Sequence, residues 1–105
     1  MPPNKRKRYY KMNNNYIRRY ELQCEYDGRK SFYNKANVEV FENELKLFSY
    51  STHVASIFYN QPDKQDPEIY NMQSATTLRH IKEFLMQAGF PSMSKSELEK
   101  WCVIR

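Results

Sequence analysis

Glycine is almost missing from this chain, with two in 105 residues. That excludes a glycine-rich loop folding its backbone around a phosphate, and it leaves few turns that need positive φ. Cysteine is as scarce. Cys24 and Cys102 stand far apart without metal-ligand spacing. They allow one disulfide, but two free thiols in a reducing cytoplasm is the reading preferred here. No apolar run approaches the roughly 20 residues that span a bilayer. The N-terminus is cationic with no apolar stretch behind it, so no secretory signal is expected. The first eleven residues lack acids altogether.

Those eleven residues, MPPNKRKRYYK, carry the whole formal net charge of +5 on Lys5, Arg6, Lys7, Arg8 and Lys11. Beyond them, twelve basic residues balance twelve acids. The chain therefore reads as an extended basic arm over residues 1–15 and one neutral domain over 16–105. Pro2 and Pro3 disfavour helix in the arm, and Asn13, Asn14 and Asn15 form a polar, hinge-like run.

Residues 16–26 alternate with period two, which predicts a half-buried strand. Tyr16, Arg18, Tyr20, Leu22, Cys24 and Tyr26 share one face of it, and Arg19 lies on the other. Asp27-Gly28 then signals a two-residue hairpin, with a return strand over 29–33. Further strands are expected at 37–41, 45–50 and 54–59, with a turn at 42–44. The polar segment 61–67 is a proline-bracketed loop, and 68–72 adds a last short strand. Helix signals begin at Ser74, with Ser74, Thr76 or Thr77 able to cap; Leu78, Ile81, Leu85 and Ala88 recur at helical spacing and Gly89 stops the run. Ser94 and Glu97 form a capping box for a shorter helix reaching about Trp101. Strands first and helices last predict an α+β fold, an antiparallel meander of about five strands packed by two C-terminal helices.

Three segments together resemble a known family. They are Ser31 to Val38, the run Leu47-Phe48-Ser49-Tyr50-Ser51-Thr52-His53-Val54-Ala55, and Ser74 to Leu85, which continues to Gly89-Phe90. They are similar to a small domain family of unknown function from phages, plasmids and Gram-positive bacteria, with "SYxTxVA" and "YSxTTxxH" patterns. The resemblance spans about residues 30–90 and leaves the arm outside. Gln73 replaces a usual tyrosine, His53 a common proline, and the 61–67 loop is long. The resemblance implies a fold and a mobile-element setting, with a role in phage–host conflict, and no catalytic residues.

The functional reading is a non-enzymatic binding module in the cytoplasm of a bacterial host. It would engage nucleic acid or a nucleoprotein, with a host protein as another partner, and an anti-CRISPR type of nuclease inhibitor fits its size and context. No cofactor, metal, membrane or small-molecule substrate is expected. The binding candidates are Lys5, Arg6, Lys7, Arg8, Tyr9, Tyr10 and Lys11, whose cations release phosphate counterions and whose rings stack on bases. Arg18 and Arg19 join them from the first strand. Arg79 joins from the helix start, where free N–H groups and the dipole also favour anions. The competing readings are core tyrosines with rim arginines, and a merely well-capped helix. Two alternatives from other classes are a small ribonuclease using His53 and His80 as acid and base, and a structural protein of a larger particle. Trp101 and Cys102 at the chain end are expected to dock on the core.

Overall fold

A computed structural model describes residues 14–103. Five strands run in sequence order through one sheet: β1 (Tyr16–Glu21), β2 (Ala36–Phe41), β3 (Glu44–Ser49), β4 (Thr52–Phe58) and β5 (Glu68–Ile69). Every neighbour pair is antiparallel. Helix α1 (Ala75–Gln87) and the short helix α2 (Lys95–Leu98) follow, the latter continuing into a 3-10 turn at Glu99–Trp101. The expected α+β meander with two C-terminal helices is present. Residues 1–13 of the arm lie outside the described residues.

The sheet forms because alternate residues can be buried on one face. Val38 pairs with Leu47, Leu47 with Ala55, and Ala55 with Ile69, which makes one apolar row across four strands. All four are fully buried. Helix α1 lies over β3 and β4 and closes this face with Ile81, Phe84 and Leu85. Burying side chains of this size contributes about 1.5–3 kcal/mol each. Ser74 caps α1 by accepting the Thr77 backbone N–H at 3.0 Å, and Gly89 ends the helix region at φ +99°. Both arms of the Ser94–Glu97 capping box are formed. Phe90 and Trp101 pack edge to face at 5.4 Å, and the Val103 N–H donates to the Ile69 carbonyl. The chain end through Val103 is therefore docked, with Cys102 bridging to Ile69.

Three expectations for the first half fail. The first strand ends at Glu21, well short of residue 26. A register shift between Tyr16 and Arg18 also breaks the expected shared face. Tyr16 sits opposite Phe41, whereas Arg18 sits opposite Val40, so the two point to opposite sides. The Asp27-Gly28 hairpin and its return strand are absent, and β1 pairs with β2 instead. Gly28 is not at positive φ, which the two-residue turn needs. Residues 22–35 form a long loop whose backbone groups bond to α1. Leu22 and Phe32 from this loop are buried in the core. The last strand is also shorter than expected and stops at Ile69.

Both cysteines are free thiols, Cys24 half-buried and Cys102 exposed. Asn14 and Asn15 are tied to the β2–β3 turn rather than free: Asn14 donates to Glu44, and the Asn15 carbonyl accepts the Glu42 N–H.

Candidate functional site

Where the 22–35 loop meets α1, the sequence places a carboxylate inside the protein. Glu83 is 1 % exposed. Its oxygens accept backbone N–H groups from Glu25, Tyr26 and Asp27 at 2.7–3.3 Å. Gln87, one turn on, donates to both Glu83 and the Gln23 carbonyl. One turn earlier, Arg79 Nη2 donates to Asp27 Oδ1 at 2.9 Å. Burial pushes the Asp27 carboxyl up, but the hydrogen bonds from Arg79 and the Arg29 N–H outweigh it and hold it below its ordinary value. Residues 79, 83 and 87 lie on one side of α1 and fasten the loop to it.

This fastening creates a cleft between the loop, the β3–β4 turn and the start of α1. It encloses a cavity of about 160 Å³. Arg29, Lys35 and Arg79 bring three cations to it, and Ser31 and Thr76 bring hydroxyls. Phe32 and His80 form the floor, with ring centroids 4.5 Å apart. Tyr33 and Tyr50 stand at its edge, 68 % and 52 % exposed. Both have left-handed backbone, at φ 54° and 59°. Bulky residues avoid that region at about 1–2 kcal/mol each. Lys35 lies 5.8 Å over the Tyr50 ring.

His80 is fixed from β3. Its Nδ1 lies 2.8 Å from Ser49 Oγ, which lies 2.9 Å from Thr77 Oγ1. Burial holds the His80 imidazole below its ordinary pKa. His53 stacks on Phe48 at 5.4 Å. Phe48 and Ser49 are consecutive on β3, so the two histidines lie on opposite faces of the sheet. No single site contains both.

Arg18 and Arg19 do not converge on the cleft. Arg18 stacks over Tyr20 at 5.0 Å. Arg19 points to the face away from α1, pairing with Glu39 at 2.7 Å and lying over Phe48 at 5.5 Å. Of the expected binding residues that are among the described residues, only Arg79 lines the cleft. Lys5, Arg6, Lys7, Arg8, Tyr9, Tyr10 and Lys11 lie outside the described residues. Arg29, Tyr33, Lys35 and Tyr50 were missed. Their signal was the density of cations and aromatics in Arg29 to Lys35, which a presumed strand concealed. Among the described residues, no cluster of three or more His, Cys, Asp or Glu could hold a metal, and no helix is long and apolar enough to cross a membrane.

The architecture is a two-layer α+β domain with a cationic, tyrosine-edged cleft. Residues 20–100 match the model of the family of unknown function DUF8033, and the chain belongs to that family. No curated protein and no solved structure matches it.

Proposed function

We propose that this domain is a non-enzymatic binding module for nucleic acid or a nucleoprotein. The observation that carries this reading is the gathering of Arg29, Lys35 and Arg79 with exposed Tyr33 and Tyr50 around one cavity. Cations neutralise phosphates and tyrosine rings stack on bases, the pairing used by surfaces that bind single strands. The arm repeats the same chemistry, with five cations and two tyrosines in eleven residues. At about 160 Å³ the cavity is smaller than the ~300 Å³ or more of small-molecule sites, which favours a group on a polymer over a free metabolite. The resemblance supports a phage or plasmid setting in the cytoplasm of a bacterial host. Within that setting the role we assign is inhibition of a host defence nuclease of the anti-CRISPR type.

The test is binding of labelled oligonucleotides over a salt series, by the full chain and by a chain lacking residues 1–11. The shorter chain is expected to bind more weakly and with a flatter dependence on salt. Identical affinity and slope would remove the arm from the interface. No binding by either chain would remove the proposal.

A further inference from the structure

The cavity beside α1 holds one buried donor that the fold leaves without a partner, Arg79 Nε, beside a histidine ring nitrogen that is also unengaged. His80 is 1 % exposed and lines the cavity. Its Nδ1 is engaged by Ser49, while its Nε2 has no hydrogen-bond partner among the described residues. When Thr77 donates to Ser49 and Ser49 donates to Nδ1, the proton of the neutral ring sits on Nε2. Arg79 Nε is buried and unpaired among the described residues, although Nη2 is bound to Asp27. Native folds seldom leave a buried N–H such as Arg79 Nε unpaired, because it carries a desolvation penalty.

What would satisfy both nitrogens is a group with several acceptor oxygens and negative charge. Arg29 and Lys35 add two cations at the same cavity. A space of about 160 Å³ admits a phosphoryl group and not a whole nucleotide. The remainder of the ligand must therefore lie outside, against the exposed rings of Tyr33 and Tyr50. A duplex turns its bases inward and offers these rings no free face, whereas an unpaired strand does.

Resting on the nucleic-acid reading above, we infer that the cavity seats one backbone phosphate of an unpaired strand, with the flanking bases stacked on Tyr33 and Tyr50. Arg29, Lys35, Arg79 and His80 Nε2 meet the phosphate oxygens. The domain then discriminates single strands from duplexes, which the arm's charge alone does not.

The test is fluorescence anisotropy with a labelled DNA strand of about twelve nucleotides, the same strand as RNA, and the matching duplex, at fixed salt. The full chain is expected to bind the better of the two strands at least about tenfold tighter than the duplex. The double variant Tyr33→Asn/Tyr50→Asn keeps residues that tolerate left-handed backbone. It is expected to lose about tenfold or more on the strand and nothing on the duplex. A chain lacking residues 1–11 should lose overall affinity and keep the strand-to-duplex ratio. A double variant that binds the strand like the parent overturns the seat while leaving arm-dependent binding intact. No nucleic-acid binding by the full chain overturns both readings. In a second measurement, titration with inorganic phosphate should move the His80 Nε2 and Arg79 Nε resonances by NMR. Stationary resonances overturn the inference, as does a phosphopeptide that binds the cleft more tightly than either strand.

Discussion

Glu83 on α1 accepts the Asp27 backbone N–H at 2.7 Å, and this contact determines the shape of the first third of the domain. The same carboxylate also holds the N–H groups of Glu25 and Tyr26. Without them the loop would have three backbone donors to satisfy, and the obvious solution is the hairpin that Asp27-Gly28 invites. The buried acid supplies charge-assisted bonds in place of strand pairing.

Glu83→Ala removes the acceptor and leaves those donors unpaired. Hydrogen bonds to a charged group are worth about 1.5–3 kcal/mol each, and the losses within one cluster are not additive. We expect a destabilisation of about 3–4 kcal/mol by urea titration. Hydrogen exchange should show amides 25–27 losing protection before the β2–β4 amides. A loss below about 1 kcal/mol would mean that the loop stands without Glu83.

Arg79 and Asp27 form the second fastening, but half in solvent. The Arg79 side chain is 41 % exposed, so the pair stabilises weakly. A double-mutant cycle on Arg79→Ala and Asp27→Asn is expected to give a coupling of about 1 kcal/mol or less at low salt, falling as salt rises. Its larger effect should be on binding, because Asp27 holds Arg79 beside the cleft. Asp27→Asn is thus expected to weaken oligonucleotide affinity without a matching loss of stability.

Tyr33 is strained and exposed at once, so its replacement should stabilise the protein. The residue is 68 % exposed and its backbone is left-handed. Tyr33→Asn keeps a side chain suited to that region and sheds a cost of about 1 kcal/mol. The expected result is a rise in Tm of a few degrees for a domain of this size. An unchanged or lower Tm would show that the ring packs better than its exposure suggests.

The second half of the fold was legible because its signals are local. Ser74, Gly89 and the Ser94–Glu97 box mark helix ends by hydrogen bonds spanning three or four residues, and Val38, Leu47 and Ala55 alternate as buried strand positions should. The first half was misread because its determinant is remote. Nothing near Asp27 announces that a glutamate 56 residues later will take its N–H. The cleft was hidden for the same reason. Arg29, Tyr33 and Lys35 become a site only when the loop is folded against α1. Arg79 was singled out because it sits inside a recognisable helix start, but its role as loop fastener was not visible there. Arg19, on the other face of the first strand, was also read as a binding candidate, and its pairing with Glu39 across β1 and β2 was not visible in the sequence.

The two histidines give the protein a defined response to acid. Burial is the main cause that lowers the pKa of both below the ordinary 6.5. At pH values between the folded and unfolded pKa the unfolded chain binds more protons, so stability rises with pH. Each histidine therefore stabilises fully above about 6.5 and loses that contribution as pH falls toward its folded value. Asp27 acts in the same direction further down, because its folded pKa is depressed. His53 also has a defined tautomer. Its Nε2 lies 3.1 Å from the Ala55 carbonyl, which only accepts, and 2.8 Å from Ser56 Oγ, whose proton is given to Glu44 at 2.6 Å. Nε2 must therefore carry the hydrogen. NMR at pH 7.5 is expected to show His53 neutral and protonated on Nε2. The urea midpoint should fall steadily from pH 7 to pH 5, and the fall should shrink in His53→Gln and again in His53→Gln/His80→Gln. A midpoint flat across that range, or a drop that survives both substitutions, would assign the acid response to the carboxylates alone.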